Sequence, residues 1–301
     1  MVDAPEVVVV GAASRDLVDD DPRGWRLGGG ASYAALTLAR LGLRVAALLV
    51  ADDEAAASTE LRLVREAGVD VRFVPGARGP IFINVETPAG RLQRSPRISD
   101  AVDPGALPSA WGASPAWLLA PVAAEIGDDW ADVPAHDALV GVGWQGLLRV
   151  LRPGEPVERD APAPSPVVRR ADLLGVGRDD VEPGTQPAAL TAYLHPGATL
   201  LFTDAERGGT AYTVGDDRGA LVERPWASIP IRRYVDPVGA GDTFLAGVLA
   251  AWIDPSITAG SDEPDADLRF GAACASLILE GHGMFAVPVR DAARRRMLGG
   301  D

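Results

Sequence analysis

The sequence predicts an α/β fold of three layers, a mostly parallel central sheet with helices on both faces. Three observations carry that expectation. Short apolar runs at 7–10, 45–50, 117–120, 138–142 and 200–203 have the length and character of strands buried on both faces. Segments with the apolar period of amphipathic helices alternate with them, as in βαβ units. The chain of 301 residues is 47% hydrophobic, enough to bury a large core.

Taken in order, the four valines at 7–10 end at Gly11 and form the first strand, whose C-terminal end is a place for ligands. Residues 16–27 are polar and broken by Pro22, after which Gly28, Gly29 and Gly30 open a helix through Ala34, Leu38 and Leu41, closed by Gly42. Strand 45–50, helix 55–67 capped by Gly68, and strand 71–74 establish the rhythm. Segments 81–85 and 91–94, joined by a turn containing Pro88 and Gly90, predict a hairpin that interrupts it. The stretches 16–27 and 79–98 together predict a small β flap over the site at the strand ends. Strands 117–120 and 138–142 resume the pattern.

Residues 153–166 hold five prolines, the composition of a linker. The strand pattern returns unchanged at 172–174, so they predict a surface connection within a single domain, 1–301. Strand 200–203, a hairpin from 210–214 and 220–222, and a strand over 233–236 follow. A helix from 241 to about 253 comes next, then one over 266–280 with Phe270, Ala273, Leu277 and Ile278 inward.

The 28 cationic side chains are all arginine, against 42 acids, for a net charge of −14. Without lysine there is no Walker-type phosphate loop and no Schiff base. Without a basic cluster, neither nucleic acid nor an anionic membrane is a partner. One cysteine, Cys274, and three scattered histidines exclude a disulfide framework and a zinc cluster. Residues 1–6 lack the pattern of a signal peptide, and no run reaches the length of a membrane helix, so a cytoplasmic protein is expected. Cys274 and Trp25 read as packing residues, and His282 as a loop residue at the surface or at a base site.

The most distinctive segment is Asp236-Pro237-Val238-Gly239-Ala240-Gly241-Asp242-Thr243. Small residues before a long helix let backbone N–H groups approach an anion, and Asp242 in the first turn is either a cap or a base. As a spacing alone it equally describes a structural glycine turn. The literal Gly141-Val142-Gly143-Trp144-Gln145-Gly146 also raises a dinucleotide-binding oxidoreductase, but only Leu147 to Arg152 follow before Pro153, and no acidic residue closes a second strand.

The 236–243 segment resembles the C-terminal signature of the ribokinase-like, PfkB-type carbohydrate kinase family. Gly28-Gly29-Gly30-Ala31-Ser32-Tyr33-Ala34-Ala35, running into Leu38-Ala39-Arg40-Leu41-Gly42, resembles its N-terminal signature, and Thr203 to Gly208 its nucleotide-binding region. The resemblance implies a ribokinase-like fold and transfer of the γ-phosphate of ATP, assisted by Mg2+, to a hydroxyl of a small sugar, cyclitol or related polyol. Asp242 would be the base, and the amides of Gly239, Ala240 and Gly241 would stabilise the transferring group. Asp16, Gly28, Gly29, Gly30 and Tyr33 would hold the acceptor, and Thr203, Gly208 and Asp236 the nucleotide. A monovalent cation such as K+ is admitted, and monomer and homodimer both stay open.

Three positions depart from the family pattern: Tyr33 for asparagine, Pro237 for threonine and Ala205 for glycine. The Asn-x-x-Glu motif is reduced to Gly177-Arg178-Asp179-Asp180, with Asp180 in the acidic role toward the metal and phosphates and water supplying the other ligands. These departures also raise a non-catalytic sugar or nucleotide sensor on the same fold. Segments 120–125 and 143–149 resemble an inositol-kinase-like branch. Taken alone, Glu125 reads equally as an exposed helix carboxylate and Arg149 as a solvated helix cation.

Overall fold

The computed structural model describes residues 4–87, 90–217, 220–261 and 263–300. Pro88 of the predicted hairpin turn lies outside them. The strands are β1 Val7–Ala12, β2 Arg15–Leu17, β3 Trp25–Leu27, β4 Val45–Val50, β5 Asp70–Phe73, β6 Ile81–Thr87, β7 Gly90–Arg97 and β8 Ala116–Ala120. They continue with β9 Leu139–Gly143, β10 Arg149–Val150, β11 Glu158–Arg159, β12 Leu173–Gly177, β13 Thr199–Thr203, β14 Gly209–Val214 and β15 Leu221–Trp226. The helices are α1 Gly30–Arg40, α2 Asp53–Ala56, α3 Thr59–Glu66, α4 Pro166–Arg170, α5 Pro187–Leu190, α6 Ala240–Ile253, α7 Ala266–Ile278 and α8 Arg290–Met297.

Nine strands form the central sheet in the order β15-β14-β13-β12-β9-β8-β1-β4-β5. All neighbours pair in parallel except β13 with β14 and β14 with β15. The valine run of β1 shows why it sits at the centre. Val7 and Val9 enter the core cluster that contains α1, α6 and α7, and Val8 and Val10 enter the cluster on the opposite face. A strand apolar at every position is stable only where both faces are covered. The three-layer expectation is borne out.

The flap is a separate four-stranded sheet, β3-β2-β6-β7. The proline-rich connection is laid along it: Arg94 and Pro156 bridge, Gly154 N–H donates to Ser95 C=O and Val157 N–H to Gln93 C=O, both at 2.8 Å. Further on, β11 pairs with β10, and Arg159 Nε donates to Asp179 C=O at 2.7 Å. The stretch is thus a strap between the flap and the ends of the central strands.

Three element readings are corrected. The helix expected over 55–67 is two helices, because the chain carries two N-caps in succession: Asp52 accepts from Ala55 N–H at 2.8 Å and Ser58 from Leu61 N–H at 3.1 Å. Residues 233–236 are not a strand; Val235 N–H donates instead to Leu279 C=O at the end of α7. The C-terminal helix α8 has no counterpart in the sequence reading, since its arginine-rich surface hides the apolar face formed by Ala293 and Met297.

Helices α6 and α7 pack through small residues. A Cβ on Gly247 would lie 3.1 Å from Gly271 Cα and 3.2 Å from the buried Cys274 Sγ, and one on Gly271 would lie 2.6 Å from Val248 Cγ2 and 3.0 Å from Phe244 C=O. Cys274 is therefore a packing residue, its thiol pushed up by burial. Because a backbone oxygen cannot retreat as a side chain can, Gly271→Val should destabilise the protein by about 2–3 kcal/mol, read as a lower denaturant midpoint with an unchanged slope.

Candidate active site

The C-terminal ends of β1, β8, β9, β12 and β13 face the flap, and α6 begins beside them. Gly239 precedes α6 with a left-handed φ of 79°, a conformation that favours glycine. Any Cβ there would also run into the ring of Tyr33. Asp236 fixes the turn from behind: it is buried, its Oδ1 accepts from Val238 N–H at 3.0 Å, and its Oδ2 accepts from Gly283 N–H at 3.1 Å. Arg26 of the flap stands 3.7 Å from the same carboxylate.

A cavity of about 220 Å³ lies in front of the turn. It brings together Asp16, Gly29, Gly30, Tyr33, Asp180, Thr203 and residues 239–242. Gly28 stands behind its wall, where a Cβ would crowd Ser14 Oγ and both carboxylate oxygens of Asp16. Of the three amides expected to bind charge, that of Ala240 already donates to Pro237 C=O at 3.2 Å, a long turn bond that a phosphoryl oxygen would compete with. Asp236, expected among the nucleotide-binding residues, is not in the lining of this cavity and clamps the turn from behind.

Asp242 reaches into the cavity from the first turn of α6. Burial pushes its carboxyl up to about 6; the positive charge of Arg149 opposes that rise and the negative charge of Asp180 adds to it. The start of α1 is pressed against it, since a Cβ on Gly30 would lie 2.5 Å from Asp242 Oδ1. The requirement for glycine at residue 30 is thus contact with the Asp242 carboxylate itself.

Toward the flap, Ser14 Oγ donates to Asp16 Oδ1 at 2.9 Å, and Gln93, whose Nε2 donates to Asn84 Oδ1 at 2.8 Å, enters the cavity wall from β7. Toward the sheet, Asp180 accepts from Gln145 Nε2 at 2.7 Å and from Gly177 N–H at 2.9 Å. On this side of the cavity Asp180 is the carboxylate a magnesium ion would meet, and among the described residues no group of three or more His, Cys, Asp or Glu could hold a metal. Asp180 fits an outer position on a hydrated ion that the nucleotide phosphates carry.

On the other side of the turn lies a second, more apolar cavity of about 470 Å³, which shares Thr203, Pro237, Ala240, Gly241 and Phe244 with the first. Trp226 and Phe244 stack there at 5.0 Å, and Ala272, Ala275 and Leu279 of the α7 side line it. Gly208 borders it at φ 83°, where a Cβ would strike Trp226 C=O. Ala205, standing where the resemblance has glycine, holds a left-handed φ of 47°. His282 is exposed and outside this lining. Trp25 is buried in the flap sheet beneath Arg15 and Arg23.

Sequence reasoning missed Ser14 and Gln93, which carry no local motif, and gave no role to Gln145 although it lies within segment 143–149. It also offered an exposed helical position for Glu125 that the structure contradicts. Ala124 turns the chain at φ 57°, and Glu125 folds back into the interior to accept from Val122 N–H at 3.1 Å and Ala123 N–H at 2.7 Å. Arg149 is likewise no helix cation; it opens β10. The glycines at 141–146 end a strand and enter a short 3-10 turn, Gln145–Leu148, so the helix that would face a dinucleotide pyrophosphate is missing.

This architecture, with a glycine turn and an acid at the head of α6 under a small β flap, is the ribokinase-like fold. Residues 169–289 match the pfkB family carbohydrate kinase description. The chain superposes on a pyrophosphate-dependent kinase of the ribokinase family complexed with a pyrophosphate analog and myo-inositol, with TM-score 0.70 and 18% identity over 95% of this chain and 98% of that one. A nucleoside kinase from Methanocaldococcus jannaschii gives 0.68 and 16%, covering 99% of both chains. Arabidopsis thaliana ribokinase complexed with ribose and ATP gives 0.64 and 19%, covering 98% and 99%. No curated protein sequence matches the chain. The family match and the fold bear out the resemblance and the expectation of a carbohydrate kinase. Among the described residues no helix is long and apolar enough to cross a membrane.

Because Gly30 touches the acid, Gly30→Ala should lower turnover at least a hundredfold by displacing Asp242, with a melting temperature within a few degrees of wild type. Steady-state kinetics beside a thermal melt check this.

Proposed function

We propose that the protein transfers the γ-phosphoryl group of ATP to a hydroxyl of a small unphosphorylated sugar or cyclitol. The observation that carries this is the position of Asp242. It lies in the polar cavity at the head of α6, and an apolar cleft of a size to hold a nucleoside opens on the other side of the same glycine turn. Asp16, Ser14 and Gln93 supply acceptors and donors for polyol hydroxyls. The carboxylate of Asp16 at that end repels an acceptor already carrying phosphate.

The acceptor hydroxyl gives its proton to the Asp242 carboxylate as its oxygen bonds to the γ-phosphorus. The bond from phosphorus to the ADP oxygen breaks as that new bond forms. Amides at the 239–241 turn and the N-terminus of α6 stabilise charge on the transferring group. Asp180 would face a hydrated magnesium ion bound with the nucleotide, and that ion would supply positive charge against the phosphates.

Asp242→Asn should lower kcat by at least a thousandfold while the Kd of ATP shifts less than about threefold; equal turnover would refute the base assignment. The pH profile follows from the raised carboxyl. The base works ionised, so kcat/KM for the acceptor should be flat above about pH 6 and fall tenfold per pH unit below it. A panel of sugars, cyclitols and nucleosides assayed with ATP identifies the acceptor. Turnover with pyrophosphate but not with ATP would show that the apolar cleft is not a nucleotide site.

A further inference from the structure

We propose that Arg149 is the side-chain cation that meets the transferring phosphoryl group, and that the buried carboxylate of Glu125 positions it. This rests on the kinase reading above. Of the described residues lining the polar cavity, three are carboxylates, Asp16, Asp180 and Asp242, and one is a cation, Arg149. A phosphoryl group entering that cavity brings further negative charge, and no lysine exists anywhere in the chain to offset it. A guanidinium suits the task, since it stays charged and presents several donors to phosphate oxygens.

The chain goes to some length to hold this arginine. Arg149 Nη1 donates to Val122 C=O at 2.9 Å, and its guanidinium lies 5.9 Å from the centre of the Phe82 ring in the flap. Val122 is held in turn by Glu125, which accepts its N–H at 3.1 Å. The two segments are locked together: Ala124 N–H donates to Gly146 C=O at 3.1 Å, and a Cβ on Gly146 would collide with the Pro121 backbone. Burying a carboxylate is costly unless N–H groups satisfy it, and the N–H groups that satisfy Glu125 belong to the turn that carries the arginine's anchor. Segments 120–125 and 143–149, which the glycine-turn chemistry leaves unused, thereby become one device.

The test compares two nucleotides with magnesium by titration calorimetry: AMP-PNP, which has a γ-phosphoryl group, and ADP, which lacks one. Arg149→Gln should weaken AMP-PNP at least tenfold and change ADP less than twofold, with Arg149→Lys recovering part of the loss. Glu125→Gln, whose amide would point a donor at the Val122 and Ala123 N–H groups, should show the same selective loss at roughly threefold to fivefold. A purely structural role would move both nucleotides together or neither. AMP-PNP binding unchanged in Arg149→Gln, or equal losses for both nucleotides, overturns the assignment. Selectivity unchanged in Glu125→Gln overturns the positioning role. Wild-type protein that binds neither nucleotide overturns the kinase reading and this inference with it, which separates the two failures.

Discussion

The carboxylate of Asp236 ties its own turn to Gly283, 47 residues further along the chain, and the arrangement of the site depends on it. One oxygen holds Val238 and the other holds Gly283, so the approach to α6 and the loop after α7 are fixed to a common point. With that point set, Gly239 takes its left-handed turn over the Tyr33 ring, and α6 starts where its first amides and Asp242 face the cavity. Nothing about the clamp requires contact with a ligand. A buried acid that organises backbone donors shapes this site without lining the cavity itself.

The contrast between those two acids is one of surroundings. Asp236 receives two backbone N–H groups and stands near a guanidinium. Asp242 is set deep with another carboxylate in its neighbourhood, and its proton affinity rises. One short segment thereby holds one carboxylate that clamps the backbone and one that the proposed reaction would use for proton transfer, a division that follows their partners and neighbours and not residue type.

The parts legible in the sequence are those whose physics is local. The run of valines declares a doubly buried strand, and the glycine turn with its acid is contiguous, so both read directly. Glu125 does not, because its alanine-rich neighbours look helical and only the left-handed backbone at Ala124 sends the side chain inward. Gln93 and Gln145 reach the same cavity from a flap strand and from a turn beyond β9, a meeting that the three-dimensional path alone creates. Residues 233–236 look like a strand because they are extended, yet their donor goes to the end of a helix.

The proline-rich strap has a consequence for how the protein behaves in a crowded solution. An outer strand of a sheet exposes a row of backbone donors and acceptors that can recruit a strand from another molecule. Beside β7 that row is answered in part by the chain itself, with a segment in which Pro153, Pro156, Pro162 and Pro164 have no N–H to offer outward. Prolines also restrict the unfolded chain, so laying down this irregular border forfeits less conformational freedom than a glycine-rich one would. The composition that resembles a slack tether thus acts as a stiff hem, closing one side of the flap to intermolecular pairing while the cavity beneath stays open to small molecules.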